Sequence, residues 1–233
     1  MMPNPAVERD CAKARSPSLL RWATPKTMLF SQVAFVAALF IASAAFAADD
    51  GVPPPTWGGG SVTATTSHDP VVPLRMGSLE VTLEKTSLKE VQSTIGVGKI
   101  YSHGDASEAL AWLCYTVSTS NPKQRLWLSS GEMGGLTIID GVSAVAIPTN
   151  VSPSADCPEL PQRYMPLRFA NGIWLGASEM KFQKFFGEVK KVKDARAYIY
   201  IGKEGEYDVI GSLNVRFKNR ASVAIFANHV TSN

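Results

Sequence analysis

A serine stands three residues before a lysine at two places that bear on catalysis, Ser120-Asn-Pro-Lys123 and Ser178-Glu-Met-Lys181. On a helix this spacing puts the amine one turn from the hydroxyl, where it can take the proton of a nucleophilic serine. The first pair lies in a Pro-containing turn. The second opens a helical run, but Ser178 is explained equally by helix capping and Lys181 by solvation of the outer face. No Lys-Thr-Gly stretch accompanies it. His68, His103 and His229 are scattered along the chain, whereas zinc needs three or four ligands brought together. No H-E-x-x-H, G-x-S-x-G, phosphate-loop or dinucleotide fingerprint occurs. Gly131-Glu-Met-Gly-Gly135 lacks the Lys-Ser/Thr of a phosphate loop and reads as a hairpin connection. The sequence therefore predicts no catalytic residues, no metal, no cofactor and a non-enzymatic protein. The alternative is a periplasmic hydrolase with dispersed catalytic residues.

One side-chain set remains as a candidate binding site. Lys181, Lys184, Lys190, Lys191, Lys193 and Arg196 form a basic run able to meet an acidic partner, a lipid head group or lipopolysaccharide. The competing reading is a solvated helix face followed by an edge strand, where lysines deter unwanted strand pairing. Trp112, Trp127 and Trp174 sit in apolar contexts and read as core.

Charge narrows the class of partner. The 233 residues carry a net charge of +3. Residues 1–47 hold five basic and two acidic residues, which is the whole excess. Behind Lys26 comes an apolar run, Met28 to Ala48, that ends in Ala45-Phe46-Ala47 before Asp49-Asp50. A basic stretch, an apolar core and a small-x-small site are the parts of a secretory signal peptide, predicted here over 1–47. An uncleaved membrane anchor is the alternative, and it is the only membrane attachment expected. The remaining chain is formally neutral, which speaks against a nucleic-acid partner, whose affinity rests on summed phosphate neutralisation. Its halves differ, however. Residues 48–160 carry six basic and twelve acidic residues, and residues 161–233 carry the reverse. Such asymmetry suggests two units with different surfaces.

Cys114 and Cys157 follow the predicted leader, an even count that makes them a disulfide candidate in an exported protein. The expected location is periplasmic or secreted.

The elements that must position these residues repeat. Residues 48–76 are rich in Pro, Gly, Ser and Thr and read as an exposed linker. Ser87 and Ser178 each precede a short apolar-periodic run, and Gly96 and Gly187 follow it. Serine suits the N-cap, Ser87-x-x-Glu90 makes a capping box, and glycine suits a left-handed C-cap. After each glycine come stretches of strand character, among them Leu110–Val117, Gln124–Ser129 and Tyr207–Phe217. The predicted fold class is α+β: two tandem units, 77–160 and 161–233, each a short helix on a three- to four-stranded antiparallel sheet. The two sheets could lie side by side, helices on one face and the other face free.

The pattern Leu175-Gly176-x-Ser178-x-x-x-Phe182-x-x-x-x-Gly187, followed by a strand, resembles the helix opening of small bacterial envelope proteins. These are the small lipoprotein subunit of the outer-membrane β-barrel assembly machine and, as a tandem, the β-lactamase inhibitory protein family. The resemblance covers about a dozen residues per unit and the element order. It implies a two-layer α+β unit that binds a protein partner in the envelope. Two features depart from it: no Cys stands at the cleavage site for lipidation, and this chain can form one disulfide where the inhibitory family has one in each unit.

Overall fold

The computed structural model describes residues 51–56 and 63–232. The predicted leader and residues 57–62 of the predicted linker lie outside these residues. Two short strands, β1 (Leu74–Met76) and β2 (Leu79–Val81), precede α1 (Leu88–Ile95). Four strands follow: β3 (Tyr101–His103), β4 (Leu110–Val117), β5 (Gln124–Gly131) and β6 (Gly141–Ala146). Next come β7 (Leu167–Phe169), α2 (Glu179–Phe186), β8 (Lys191–Val192), β9 (Ala195–Glu204), β10 (Tyr207–Lys218) and β11 (Ala221–Ser232). Strand pairing is antiparallel throughout, in an eight-stranded sheet ordered β3-β4-β5-β6-β11-β10-β9-β8 and a three-stranded sheet ordered β2-β1-β7. The class is α+β.

Both helices have eight residues, too few to persist alone, so packing must hold them. Ser87 Oγ accepts from Glu90 N and Ser178 Oγ from Lys181 N, which satisfies a donor that the first turn leaves open. Gly96 ends α1 in the left-handed region at φ 80° and ψ 3°. Gly187 departs from that expectation: its φ is 85° but its ψ is 174°, so the chain leaves α2 extended toward β8. Leu88, Val91 and Ile95 on α1, and Phe182 and Phe186 on α2, point into one core. The small sheet adds Leu74, Met76, Val81, Leu167 and Phe169 to it. The large sheet supplies alternate residues such as Leu113, Tyr115, Leu213 and Val215, as the period of two requires.

Two expectations change. The reverse face of the large sheet is not free along β3–β5. There Tyr101, Trp112, Cys114, Trp127 and Cys157 form a second buried cluster, with Val52 against it. The Cys114–Cys157 disulfide, whose pairing the sequence suggested, fastens the 148–160 loop over this face. Trp127 Nε1 donates to Val52 O at 2.9 Å, so the start of the predicted linker is also docked. Secondly, Leu74–Met76 lies in that linker yet forms the central strand of the small sheet. Three residues are too few to display an alternating pattern.

Phe182 is fully buried and meets the Phe217 ring edge-on at 5.4 Å. Phe182→Ala should cost about 3–5 kcal/mol of unfolding free energy, measured by denaturant titration. Reducing the disulfide, which closes a separation of 43 residues, should cost about 4 kcal/mol in the same assay.

Candidate functional site

Turning Phe182 and Phe186 onto the sheet fixes the rest of α2. By helical geometry Met180, Lys181 and Lys184 then point outward, and all three are exposed. The chain runs from Gly187 into β8, which pairs with β9 only through Lys191–Arg196 and Val192–Ala195. Lys193, at φ 57°, and Asp194 make the connection between those strands. The predicted basic run thus lies on two neighbouring elements, the outer side of α2 and the β8 edge of the large sheet.

Its six members play different parts. Glu179, in the first turn of α2, accepts from Arg196 Nε at 2.8 Å and lies 3.7 Å from Lys191 Nζ. Arg196 also donates to Val189 O, and its side chain is only 11% exposed, so it is committed within the protein. The Arg196 hydrogen bond is the main cause holding the Glu179 carboxyl below its ordinary value, with burial opposing and the charges of Arg196 and Lys191 assisting. Lys181 Nζ donates to Gly172 O at 2.9 Å. Lys184, Lys190 and Lys193 are exposed. The region also presents exposed apolar side chains: Met180 is 74% exposed, Val192 64% and Phe185 44%. The sequence places Phe185 on one helical face with Phe182 and Phe186, but only those two are buried and Phe185 sits at the margin of that face.

No protein-family model, curated protein or solved structure matches this chain. The other candidate residues are therefore read from their own surroundings. Ser178 Oγ accepts from the Lys181 backbone while the Lys181 amine turns to Gly172, so the two groups are not joined to each other. Ser120 Oγ bonds Val117 O and Pro122 O, and Lys123 Nζ reaches Thr149 O. Trp112, Trp127 and Trp174 are buried, as expected. Trp174 Nε1 donates to Gln124 Oε1 at 2.8 Å, tying the approach to α2 to β5. Among the described residues, no group of three or more His, Cys, Asp or Glu is arranged to hold a metal ion, and no helix is long and apolar enough to cross a membrane.

His229 gathers acidic partners that sequence spacing could not reveal. Its Nε2 lies 2.9 Å from Asp69 Oδ2 and its Nδ1 2.6 Å from Glu84 Oε2. The hydrogen bond to Asp69 is the largest cause raising the His229 pKa; burial opposes it and Glu84 adds to it. For Glu84, burial pushes upward, but bonds from Thr231 and His229 outweigh it and leave the carboxyl below its ordinary value. Asp140, nearby, is raised by burial despite the Gly131 N–H that its carboxylate accepts.

Because the folded-state pKa of Glu179 is depressed, its contribution to stability is present above its unfolded value and lost as pH falls through the folded one. Glu179→Gln should therefore destabilise the protein near about pH 7, and its difference from wild type should narrow as the pH is lowered to about 3. Paired denaturant titrations at the two pH values check this.

Proposed function

We propose that this chain is an exported bacterial envelope protein, periplasmic or secreted, that acts as a non-enzymatic protein-binding or assembly module. The observation that carries the reading is the α2–β8 corner. Exposed Met180, Phe185 and Val192 stand in the same region as exposed Lys184, Lys190 and Lys193. Apolar contact area rimmed by mobile charge suits a protein interface, with the apolar groups supplying affinity and the lysines steering an acidic partner. The disulfide supports an oxidising compartment, since such bonds persist there and not in reducing cytosol.

The module is proposed to consist of two tandem helix-plus-sheet units. Strand order supports this, because β3-β4-β5-β6 and β8-β9-β10-β11 run inward from opposite edges and meet at their last strands. So does local bonding. Ser87, the cap of α1, bridges Ile138 just ahead of β6, and Ser178, the cap of α2, bridges Ala221 at the start of β11. Leu88 N donates to Thr137 O and Ile139 N to Thr86 O; Glu179 N donates to Arg220 O and Ser222 N to Ala177 O, the same pattern in the other half. β1 and β7, which precede the two helices, pair with each other with Arg75 opposite Arg168.

Crosslinking mass spectrometry in the native envelope tests the function. The expected result is a protein partner joined through Lys184, Lys190 or Lys193. Its yield should fall with added salt, and co-purification of that partner without crosslinking should drop about tenfold or more when the three lysines are changed to Glu. A partner yield unaffected by both salt and the charge reversal would refute this surface. Finding no partner at any ionic strength would refute the binding function.

A further inference from the structure

We propose that residues 63–69 form a strap latched to the large sheet by a protonated His229, and that loss of that proton releases the strap as far as its anchor at buried Pro70 and core-packed Val71 and Val72. Two sets of described contacts join the strap to the sheet. At the outer edge of β9, Thr65 N and Thr66 N donate to Ile199 O at 2.7 and 3.0 Å, Thr65 Oγ1 donates to Ala197 O at 3.0 Å, and Ile199 N donates to Thr65 Oγ1 at 2.8 Å. β8 pairs only with Arg196 and Ala195, so the strap takes over the β9 edge where β8 ends. Further along, Asp69 lies over Gly211: a Cβ there would stand 2.1 Å from Asp69 Oδ1. Gly211 is directly opposite His229 across the β10–β11 ladder. The missing side chain is what lets Asp69 reach the imidazole.

The latch needs the charged ring. An ionised carboxylate only accepts, and a neutral imidazole has a single N–H. Both ring nitrogens of His229 face carboxylate oxygens, at 2.9 Å for Asp69 and 2.6 Å for Glu84, so both contacts are hydrogen bonds only in the imidazolium. Once a proton leaves, one ring lone pair faces a carboxylate and that contact turns repulsive. Glu84 is secured independently, because Thr231 N donates to its Oε1 and Thr231 Oγ1 to its Oε2, both at 2.7 Å, while Glu84 N donates to Ile139 O. The other bond of Asp69 is local, from Val71 N two residues on, and does not reach the sheet. Asp69 is the partner that yields.

Charged groups reach His229 from each element around it as follows. The strap brings Asp69 and the β2–α1 loop brings Glu84. The lead-in to β6 brings Asp140, whose carbonyl accepts from His229 N at 2.9 Å and whose charge acts on Glu84. Neighbouring Gly211 and Thr231 bring no charge. With its folded-state pKa raised above 6.5, His229 contributes fully below that value, and its contribution is lost as pH rises through the folded pKa. Release leaves Ala197 O, Ile199 N and Ile199 O on the β9 edge without the strap.

Amide hydrogen exchange of the full chain at about pH 5.5 and about pH 8.5, corrected for the base-catalysed intrinsic rate, tests the latch. Protection of the Ile199 amide should fall about tenfold or more between the two conditions, while amides of the β4–β5 ladder keep theirs. In His229→Gln that step should vanish, with Ile199 weakly protected throughout. Asp69→Asn changes only the strap, leaves the β11 contacts in place, and should lose the step in the same way. Equal Ile199 protection at both pH values in the wild type overturns the proposal, as does a step that persists in either variant. A fall shared by the β4–β5 ladder also overturns it, since that would be global unfolding.

Discussion

Five residue pairs between β6 and β11, from Gly141 opposite Asn228 to Val145 opposite Ala224, join the two halves into one sheet. Everything else in the protein depends on that seam. It lies at the centre of the strand order, with three strands on either outer side. Val142, Ala144, Ile225 and Ala227 of the seam belong to one core cluster that also holds buried residues of α1, α2 and the small sheet. Without the seam each half would expose a strand edge and each eight-residue helix would cover only half a core. Neither helix has the length to compensate.

The seam also explains why the charge asymmetry persists. Among the described residues, Arg75 pairs with Glu80 inside the acidic half, and Glu179, Lys191, Arg196, Lys203 and Asp208 pair inside the basic half. The ion pairs described between the halves are those of His229 with Asp69 and Glu84. Backbone pairing and apolar burial hold the halves together, so the acidic and basic surfaces need not neutralise each other. Their fields stay available for steering. Of the described ion pairs, this crossing is the one that depends on a histidine proton.

Local physics was readable from the residues. Ser87, Gly96 and Ser178 mark helix ends because capping is decided within a few residues, and Leu110–Val117 is a strand with the bounds its composition suggests. Its apolar run, with Thr116 the one polar residue, is a signal of cover on both faces that the expectation of a free face passed over. What escaped was decided at a distance. Glu84 is separated from His229 by 145 residues, and Val52 from Trp127 by 75, so neither pairing leaves a mark in any sequence window. β1 escaped for a different reason: a three-residue strand flanked by Pro73 and Gly77 is set by its partners β2 and β7, not by its own pattern. In the basic run, spacing grouped Arg196 with the lysines, but only the fold places Glu179 against it.

Native-state hydrogen exchange across the β6–β11 seam, followed with increasing denaturant, is the most direct test of a single sheet. The amides linking Val142, Ala144, Ile225 and Ala227 should exchange only through global unfolding, at the same free energy and with the same denaturant dependence as the β4–β5 and β9–β10 ladders. Seam amides that exchanged at a distinctly lower free energy, while both outer ladders stayed protected, would mean that the halves open independently. That result would contradict the account.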